Sequence, residues 1–132
     1  MKRMMMYDLD GTLVDTGEDI VRSVNHMLKE LDMRPMGRDD IVGLIGTGLR
    51  NLVAGCLKSD DPQAVERGMT IYCAYYTRHL LDHTALYPCA GLLLDRFKDR
   101  MQIVVTNKPN PFTQDILNGL GVAGYFAEVI AG

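Results

Sequence analysis

The stretch from Met4 to Asp15 (Met-Met-Met-Tyr-Asp-Leu-Asp-Gly-Thr-Leu-Val-Asp) constrains this chain more than any other segment. A short apolar run leads directly into two carboxylates that are two residues apart, followed by a glycine. A run of this length bounded by glycine predicts a buried β-strand. Asp8 and Asp10 would then lie where the strand ends, which is the place where open α/β sheets bind their ligands.

Two carboxylates this close repel each other unless a cation or a shared proton compensates. Mg²⁺ fits this role because it prefers carboxylate and phosphate oxygens, and it would also neutralise a phosphoryl group. Asp8 or Asp10 could then attack phosphorus, while the other protonates the leaving oxygen and later deprotonates water. Gly11 permits a sharp turn in which neighbouring N–H groups can point at an anion.

The segment Asp8-Leu9-Asp10-Gly11-Thr12-Leu13 resembles the signature of the haloacid dehalogenase-like (HAD) hydrolases. The resemblance implies that Asp8 is the nucleophile, that Asp10 is the general acid and base, and that both hold Mg²⁺. It also implies that Gly11 and Thr12 contact the phosphate. An aspartate at the second position favours phosphoryl transfer over dehalogenation, because an alkoxide leaving group needs a proton donor and a halide does not.

Residues 17–84 read as purely helical. Asp15 or Thr16 can cap the first helix, and Asp39 or Asp40 opens a second, short one. The segment Ser59-Asp60-Asp61-Pro62 predicts a strong helix start. Because these helices interrupt an α/β pattern, the resemblance implies an inserted helical cap (17–84) on an α/β core made of residues 1–16 and 85–132. Such a cap would close over a small substrate and exclude water.

The turn Gly46-Thr47-Gly48 lacks the third glycine and the preceding strand of a dinucleotide fingerprint, so a helix–helix turn is favoured. HAD phosphatases similar to phosphoglycolate phosphatase carry a comparable Gly-x-Gly that faces the active site. On that basis Arg50 is a weak candidate for a substrate contact, against the alternative of a solvated arginine. His79 and His83 have the spacing of two metal ligands on one helix face, but a metal site there is not favoured.

After the cap, the run Met101–Thr106 predicts a buried strand at about residues 102–106, which ends in Thr106-Asn107-Lys108-Pro109. The resemblance implies that Thr106 hydrogen-bonds the transferring phosphoryl group, with Asn107 and Lys108 beside it. Developing negative charge on phosphoryl oxygens needs such fixed donors. Lys108 can equally be read as a solvated loop lysine. A third strand is predicted near residues 128–131, which completes a partial Rossmann-like parallel sheet.

Composition narrows the classes of partner. The 132 residues carry a net charge of −3 with no basic cluster, which argues against nucleic acid. No apolar run approaches the roughly 20 residues of a membrane span, and the start Met1-Lys2-Arg3 is followed too soon by acids to form a signal peptide. Three widely spaced cysteines favour reduced thiols in a cytoplasmic protein and argue against zinc.

In the resembling family the chain continues to a lysine that holds the phosphate and to acidic residues that complete the Mg²⁺ site. No such residues follow the third strand, so the resemblance implies a C-terminally truncated member with weak Mg²⁺ affinity and impaired turnover. The first strand would also be left as an apolar edge, and such edges invite pairing with another chain. We therefore expect a homodimer or higher association through that edge.

Two functions follow from these observations. The first is a Mg²⁺-dependent phosphomonoester hydrolase of the phosphoglycolate phosphatase type, acting through an aspartyl-phosphate on a small phosphorylated metabolite. Phosphoglucomutase-like and pyrophosphatase-like substrates remain open within this class. The second is a non-catalytic HAD-like remnant that self-associates.

Overall fold

The computed structural model describes residues 3–132 of the chain. A parallel three-stranded sheet is formed by β1 (Met4–Tyr7), β4 (Met101–Val105) and β5 (Glu128–Ile130) in the order β1-β4-β5. In the register, Tyr7 faces Val104, and Val104 faces Val129. The three predicted strands are therefore confirmed to within a residue or two, and the α/β class with them.

A second, two-stranded antiparallel sheet was not predicted from the sequence. It pairs β2 (Val14–Asp15) with β3 (Ala85–Leu86), so that the two places where the chain passes between the sheet and the helical region lie side by side. Strands of two residues leave no periodic pattern that a sequence window can detect.

The described part of the chain, residues 3–132, contains six α-helices beside these sheets. Four lie between β2 and β3: α1 (Gly17–Glu30), α2 (Arg38–Val42), α3 (Leu49–Leu57) and α4 (Pro62–His79). The other two, α5 (Ala90–Arg96) and α6 (Phe112–Gly119), flank β4, and a 3₁₀ turn (Ala123–Tyr125) precedes β5. Within residues 3–132 no helix is long and apolar enough to cross a membrane.

The starts of α1, α2 and α4 lie at or within a residue of their sequence signals. Asp61 caps α4 by accepting a bond from the Ala64 N–H (3.1 Å), with Pro62 in the first turn. The helix α2 was expected to open at Asp39 or Asp40, and it begins one residue earlier, at Arg38, with Gly37 as its cap residue. Thr16 occupies the cap position of α1, but its hydroxyl makes no capping bond because it is used elsewhere.

The helices between β2 and β3 pack mainly on α4, which contacts both α1 and α3. The contact is close at Gly68, where an added Cβ would lie 2.9 Å from Val53 Cγ1 and 3.2 Å from Met27 Sδ. This close approach lets the buried face of α4, which carries Tyr72 and Tyr76, lie over the end of the parallel sheet. The division into a core and a cap stays a prediction.

One buried hydrogen-bond chain joins the sheet to α5. The Tyr7 hydroxyl donates to Oε1 of Gln102 (2.8 Å), and the Gln102 amide donates to the Leu94 carbonyl (3.1 Å). Gln102 is thereby satisfied on both sides although it is almost wholly buried. A fully paired polar network of this kind fixes the position of α5 against β1 and β4.

Candidate functional site

The site is built where β1 and β4 end. Because the two strands are parallel and Tyr7 lies opposite Val104, the segments that follow them leave the sheet at the same edge. Asp8 and Asp10 come from the first segment, and Thr106 and Lys108 from the second. The structure thus brings together, at one edge, residues that are about 100 positions apart in the sequence.

The turn after β1 is closed by its own backbone. The buried Leu9 carbonyl accepts bonds from the N–H groups of Thr12, Leu13 and Val14, and the Gly11 N–H donates to the Val14 carbonyl (2.9 Å). Gly11 has φ +75°, a conformation that glycine adopts without steric cost. The N–H groups of Gly11 and Thr12 are therefore already used inside the turn, and the expected phosphate contacts of these two residues stay predictions.

The two aspartates have different surroundings. Asp8 is exposed, and its Oδ1 accepts a bond from the Leu9 N–H (2.7 Å). The Asp10 carboxylate is only 6% exposed, and its Oδ1 accepts a bond from the Thr16 hydroxyl (2.6 Å) and lies 3.2 Å from the Lys108 Nζ. One carboxylate is thus accessible from solvent, and the other is fixed by a hydroxyl and an ammonium group.

Lys108 is a buried cation, and the alternative of a solvated loop lysine is wrong. Its side chain is 6% exposed, and its Nζ lies 3.2 Å from Asp10 and 4.9 Å from the ring centroid of Tyr76. Burial opposes the charged form, but the neighbouring Tyr76 and Asp10 outweigh it and raise the pKa of Lys108 above its ordinary value. Lys108 therefore carries a positive charge at neutral pH next to the Asp10 carboxylate.

Thr106 and Asn107 have separate contacts at the end of β4. The buried Thr106 hydroxyl accepts a bond from the Lys108 N–H (3.1 Å), which leaves its own proton available to a further acceptor. The Asn107 amide donates to the Gly46 carbonyl (2.8 Å), and so joins β4 to the turn between α2 and α3. Thr106 can donate to a phosphoryl oxygen, whereas Asn107 is engaged in a bond between two segments of the chain.

A pocket opens beside Asp10 and Lys108, with about 380 Å³ of empty space including the part open to solvent. Most of its wall is apolar. The lining residues come from the turn after β1, from α1, from the α2–α3 turn, from α3 and α4, and from the segment after β4: Asp10, Ile20, Ile45, Gly46, Gly48, Leu49, Leu52, Tyr72, Tyr76, Lys108, Pro109 and Phe112. The Gly46-x-Gly48 turn therefore borders the pocket, and it is also the predicted helix–helix turn.

Arg50 is not among the residues that line this pocket. Its guanidinium pairs with Glu66 across the exposed faces of α3 and α4, and more than half of its side chain is exposed. The structure does not bring Arg50 to the site, so the weak expectation of a substrate contact has no geometric support here.

For Mg²⁺, the donor set at this edge is the pair of carboxylates, Asp8 and Asp10. Among residues 3–132 no group of three or more His, Cys, Asp or Glu side chains is gathered in a way that could hold a metal ion. His79 and His83 do not share a ligand, since His79 pairs with Asp82 (2.7 Å) and His83 pairs with Asp19 (2.9 Å). Two carboxylates fit a Mg²⁺ ion that obtains further oxygens from water and phosphate.

Sequence reasoning missed two contributors to the site, Thr16 and Tyr76. Thr16 was read as a helix cap, but its hydroxyl fixes Asp10 (2.6 Å). Tyr76 lies on the buried side of α4, where packing is the ordinary role of an aromatic ring, but its ring borders the pocket and contacts Lys108. Neither role has a local signal, because each depends on which face of a helix the fold turns toward the sheet edge.

Comparisons with known proteins agree with this geometry. Residues 5–132 match the sequence profile of the haloacid dehalogenase-like hydrolases. The chain is 34% identical over 140 residues to a phosphoglycolate phosphatase of Colwellia psychrerythraea, covering 99% of this chain and 62% of that protein. It is 33% identical over 133 residues to a phosphoglycolate phosphatase of Neisseria gonorrhoeae, covering 96% and 56% respectively.

A solved structure shows the same fold. The crystal structure of a predicted phosphoglycolate phosphatase from Haemophilus somnus superimposes with a TM-score of 0.92 at 27% identity, covering 100% of this chain and 63% of that one. The chain thus spans about three fifths of the length of these relatives. With the profile matched over nearly its whole length, the chain belongs to the haloacid dehalogenase-like hydrolase family.

Proposed function

We propose that this chain is a phosphomonoester hydrolase, similar to phosphoglycolate phosphatase, that acts on a small phosphorylated metabolite through an aspartyl-phosphate. The observation that carries the proposal is the pairing of an exposed carboxylate, Asp8, with a buried and fixed one, Asp10, at the end of the same strand. A nucleophile must reach the substrate, whereas a proton donor must be held in a defined position.

In the proposed reaction, the Asp8 carboxylate attacks phosphorus and the bond from phosphorus to the ester oxygen breaks. Asp10 gives a proton to the departing oxygen, and later removes one from the water that hydrolyses the aspartyl-phosphate. The Lys108 ammonium, 3.2 Å from Asp10, balances the charge whenever Asp10 is ionised. The Thr106 hydroxyl donates to a phosphoryl oxygen, where fixed donors stabilise developing charge.

Mg²⁺ belongs to the proposal as the cofactor, with the Asp8 carboxylate and an oxygen of Asp10 as its protein ligands. When bound, it would offset the negative charge of the phosphoryl group. The pocket beside Asp10 is lined from the sheet edge and from α3 and α4, which supports a role of residues 17–84 as a lid over the substrate. We also propose a cytoplasmic setting, for which the free thiols of Cys56, Cys73 and Cys89 are the support.

The test is hydrolysis of para-nitrophenyl phosphate and of 2-phosphoglycolate in the presence of Mg²⁺. We expect Asp8→Asn to abolish turnover, because the amide cannot attack phosphorus. Asp39→Asn, which removes an exposed acid of α2, is the matched control and should retain the wild-type rate. Turnover that survives in Asp8→Asn would contradict the assignment of the nucleophile. Glucose 1-phosphate and pyrophosphate, run in parallel, test the two other substrate types of the family.

A second candidate function is binding without turnover. The specific observation in its favour is that the described residues gather no group of three or more His, Cys, Asp or Glu side chains that could hold a metal ion. If wild-type protein shows no hydrolysis of any of these compounds, but phosphorus NMR shows that it binds inorganic phosphate with Mg²⁺, the non-catalytic function is supported and the hydrolase is not.

A further inference from the structure

Two walls of the pocket meet at Asn107, although Asn107 does not itself line the pocket. One wall is the α2–α3 turn, residues 46–48, and the other is the segment of Lys108 and Pro109 after β4. The Asn107 side-chain amide donates a hydrogen bond to the Gly46 carbonyl (2.8 Å), and thereby joins the two walls. A bond in this position limits how far the turn can move away from the sheet edge.

The backbone that carries the Asn107 amide is held in place by its neighbours. The Thr106 N–H donates to the Ile130 carbonyl at the end of β5 (2.9 Å), and the Lys108 N–H donates to the Thr106 hydroxyl (3.1 Å). Gly132 lies so close that an added Cβ would be 2.5 Å from the Asn107 carbonyl oxygen. The amide is therefore presented to the turn from a rigid part of the sheet, which is the condition for precise positioning.

The turn on the other side of this bond has further hydrogen bonds to its sequence neighbours. The Thr47 hydroxyl donates to the Leu44 carbonyl (2.7 Å), and the Asn51 amide donates to the Thr47 carbonyl (2.8 Å). Gly46 and Gly48 have φ +97° and +94°, which are conformations that glycine adopts without steric cost. These local bonds give the turn its shape, but its distance from the sheet edge depends on the bond from the segment after β4.

We propose that Asn107 is a positioning residue, whose amide holds the α2–α3 turn against the sheet edge so that the turn encloses the organic part of a substrate. Asn107 then acts through the turn and makes no contact with the phosphate, in contrast to what the family resemblance implied. This inference rests on the proposed function, because it takes Asp10 as the group next to the departing oxygen, in the pocket that the turn borders.

The experiment uses Asn107→Leu, which keeps the branched shape of the side chain but has no donor. Asn118→Leu is the matched control, because Asn118 is exposed on α6 and its side chain accepts a bond from Gln114 (3.1 Å) outside the pocket. Hydrogen exchange is followed by mass spectrometry in residues 43–52, with residues 17–30 as the reference segment. KM and kcat are measured with para-nitrophenyl phosphate and Mg²⁺, and inorganic phosphate is titrated as a competitive inhibitor.

We expect Asn107→Leu to raise the exchange rate in residues 43–52 and to leave the reference segment unchanged, because the turn is released while the fold stands. KM should rise about two- to tenfold, the range that the loss of one hydrogen bond permits, with kcat within about twofold of wild type. The inhibition constant of inorganic phosphate should not change, because phosphate has no organic part for the turn to enclose. Asn118→Leu should match wild type in every measurement.

Each other result overturns the inference in a distinct way. An inhibition constant of inorganic phosphate that rises with KM in Asn107→Leu shows that Asn107 contacts the phosphate. Unchanged exchange in residues 43–52 shows that Asn107 does not hold the turn, whether or not the chain is a hydrolase. Faster exchange in both segments shows that Asn107 supports the fold as a whole. No hydrolysis by wild type overturns the proposed function, and the effect on KM with it.

Discussion

The Nζ of Lys108 lies 3.2 Å from Oδ1 of Asp10, and both side chains are 6% exposed. This ion pair connects the segments that follow β1 and β4, and it also joins the acidic motif to the ring of Tyr76 on α4. Ion pairs at the surface contribute little to stability, whereas removal of one partner of a buried pair leaves an uncompensated charge. The pair is therefore the contact on which the geometry of the site depends most.

Substitution of Lys108 by methionine should destabilise the fold strongly. The Asp10 carboxylate would remain buried with only the Thr16 hydroxyl beside it, a situation that costs roughly 3–5 kcal/mol. Urea unfolding measures the change. The double variant Asp10→Asn/Lys108→Met is the control, and it should lose less than the sum of the two single variants. Additive losses would show that the two side chains do not interact.

Stability should also fall at alkaline pH, in part because of Lys108. The pKa of Lys108 is raised in the folded state above the unfolded value of about 10.4. The stabilisation is therefore fully present below about pH 10 and is lost as the pH rises through the folded pKa. The raised pKa values of Tyr72 and Tyr76, caused by burial, add to the same loss. Lys108→Met should thus show a shallower alkaline decline in free energy of unfolding than wild type, and an identical decline would contradict the prediction.

The Asp19 carboxylate, 1% exposed at the start of α1, should be a second point of high sensitivity. It accepts bonds from the N–H groups of His83 and Thr84 and from the Thr84 hydroxyl, and so joins α1 to the segment before β3. Asp19→Ala leaves these donors unpaired and should cost roughly 3 kcal/mol in unfolding free energy. Asp99→Asn, at an exposed position after α5, is the control and should change little.

The same carboxylate predicts a loss of stability in acid. Burial opposes the charged form of Asp19, but the bonds from His83 and Thr84 outweigh it and hold the pKa below its ordinary value. A depressed folded pKa contributes stability that is present above the unfolded value of about 3.9 and is lost as the pH falls through the folded pKa. As the pH is lowered into the acid range, the melting temperature should therefore fall less in Asp19→Asn than in wild type. An equal fall in melting temperature in the two proteins would contradict the lowered pKa of Asp19.

Two glycines in helices should respond in opposite directions to alanine. At Gly68 the new methyl would approach Val53 Cγ1 at 2.9 Å and Leu57 Cδ1 at 3.0 Å, and overpacking of this kind costs about 1–3 kcal/mol, more than the gain in helix propensity. At Gly91 the methyl would meet nothing within 4 Å, so Gly91→Ala should be neutral or stabilise by up to about 1 kcal/mol. Thermal melting of the pair tests this, and a stabilised Gly68→Ala would show that α4 is not held closely against α3.

Self-association through β1 stays a prediction for this 132-residue chain. Within residues 3–132, β1 pairs with β4 alone, and Met4 and Met6 on it are 49% and 60% exposed. Light scattering after size exclusion should give a mass above the monomer that rises with concentration. Met6→Lys should shift the protein toward monomer, because charge on an edge strand opposes pairing. Leu92→Lys, an exposed apolar position on α5, is the control; a monomeric wild type at every concentration would contradict the prediction.

Most of the fold could be predicted from short-range patterns in the sequence. The parallel strands at 4–7, 101–105 and 128–130 are apolar runs bounded by turn residues, and α4 begins at a Pro preceded by a capping Asp. The β2–β3 pair could not be predicted, because strands of two residues are too short to show a hydrophobic alternation. Thr16 was predicted as a candidate cap residue of α1 and occupies that position, but the bond of its hydroxyl was not predicted, because the nearby Asp10 carboxylate accepts that hydroxyl in place of a bond to the helix N–H groups.

What the sequence determined by itself is the family and the acidic pair, since Asp8 and Asp10 are set two residues apart by covalent structure and the turn at Gly11 is local. What only the tertiary structure decided is the environment of that pair. Lys108 stands 98 positions after Asp10, and whether it is solvated or buried depends on the parallel register of β1 with β4. Tyr76 faces the pocket only because α4 packs on α1 and α3 with its buried side toward the sheet edge. Contacts between distant segments arise from packing of the whole chain, and no local pattern of residues encodes them.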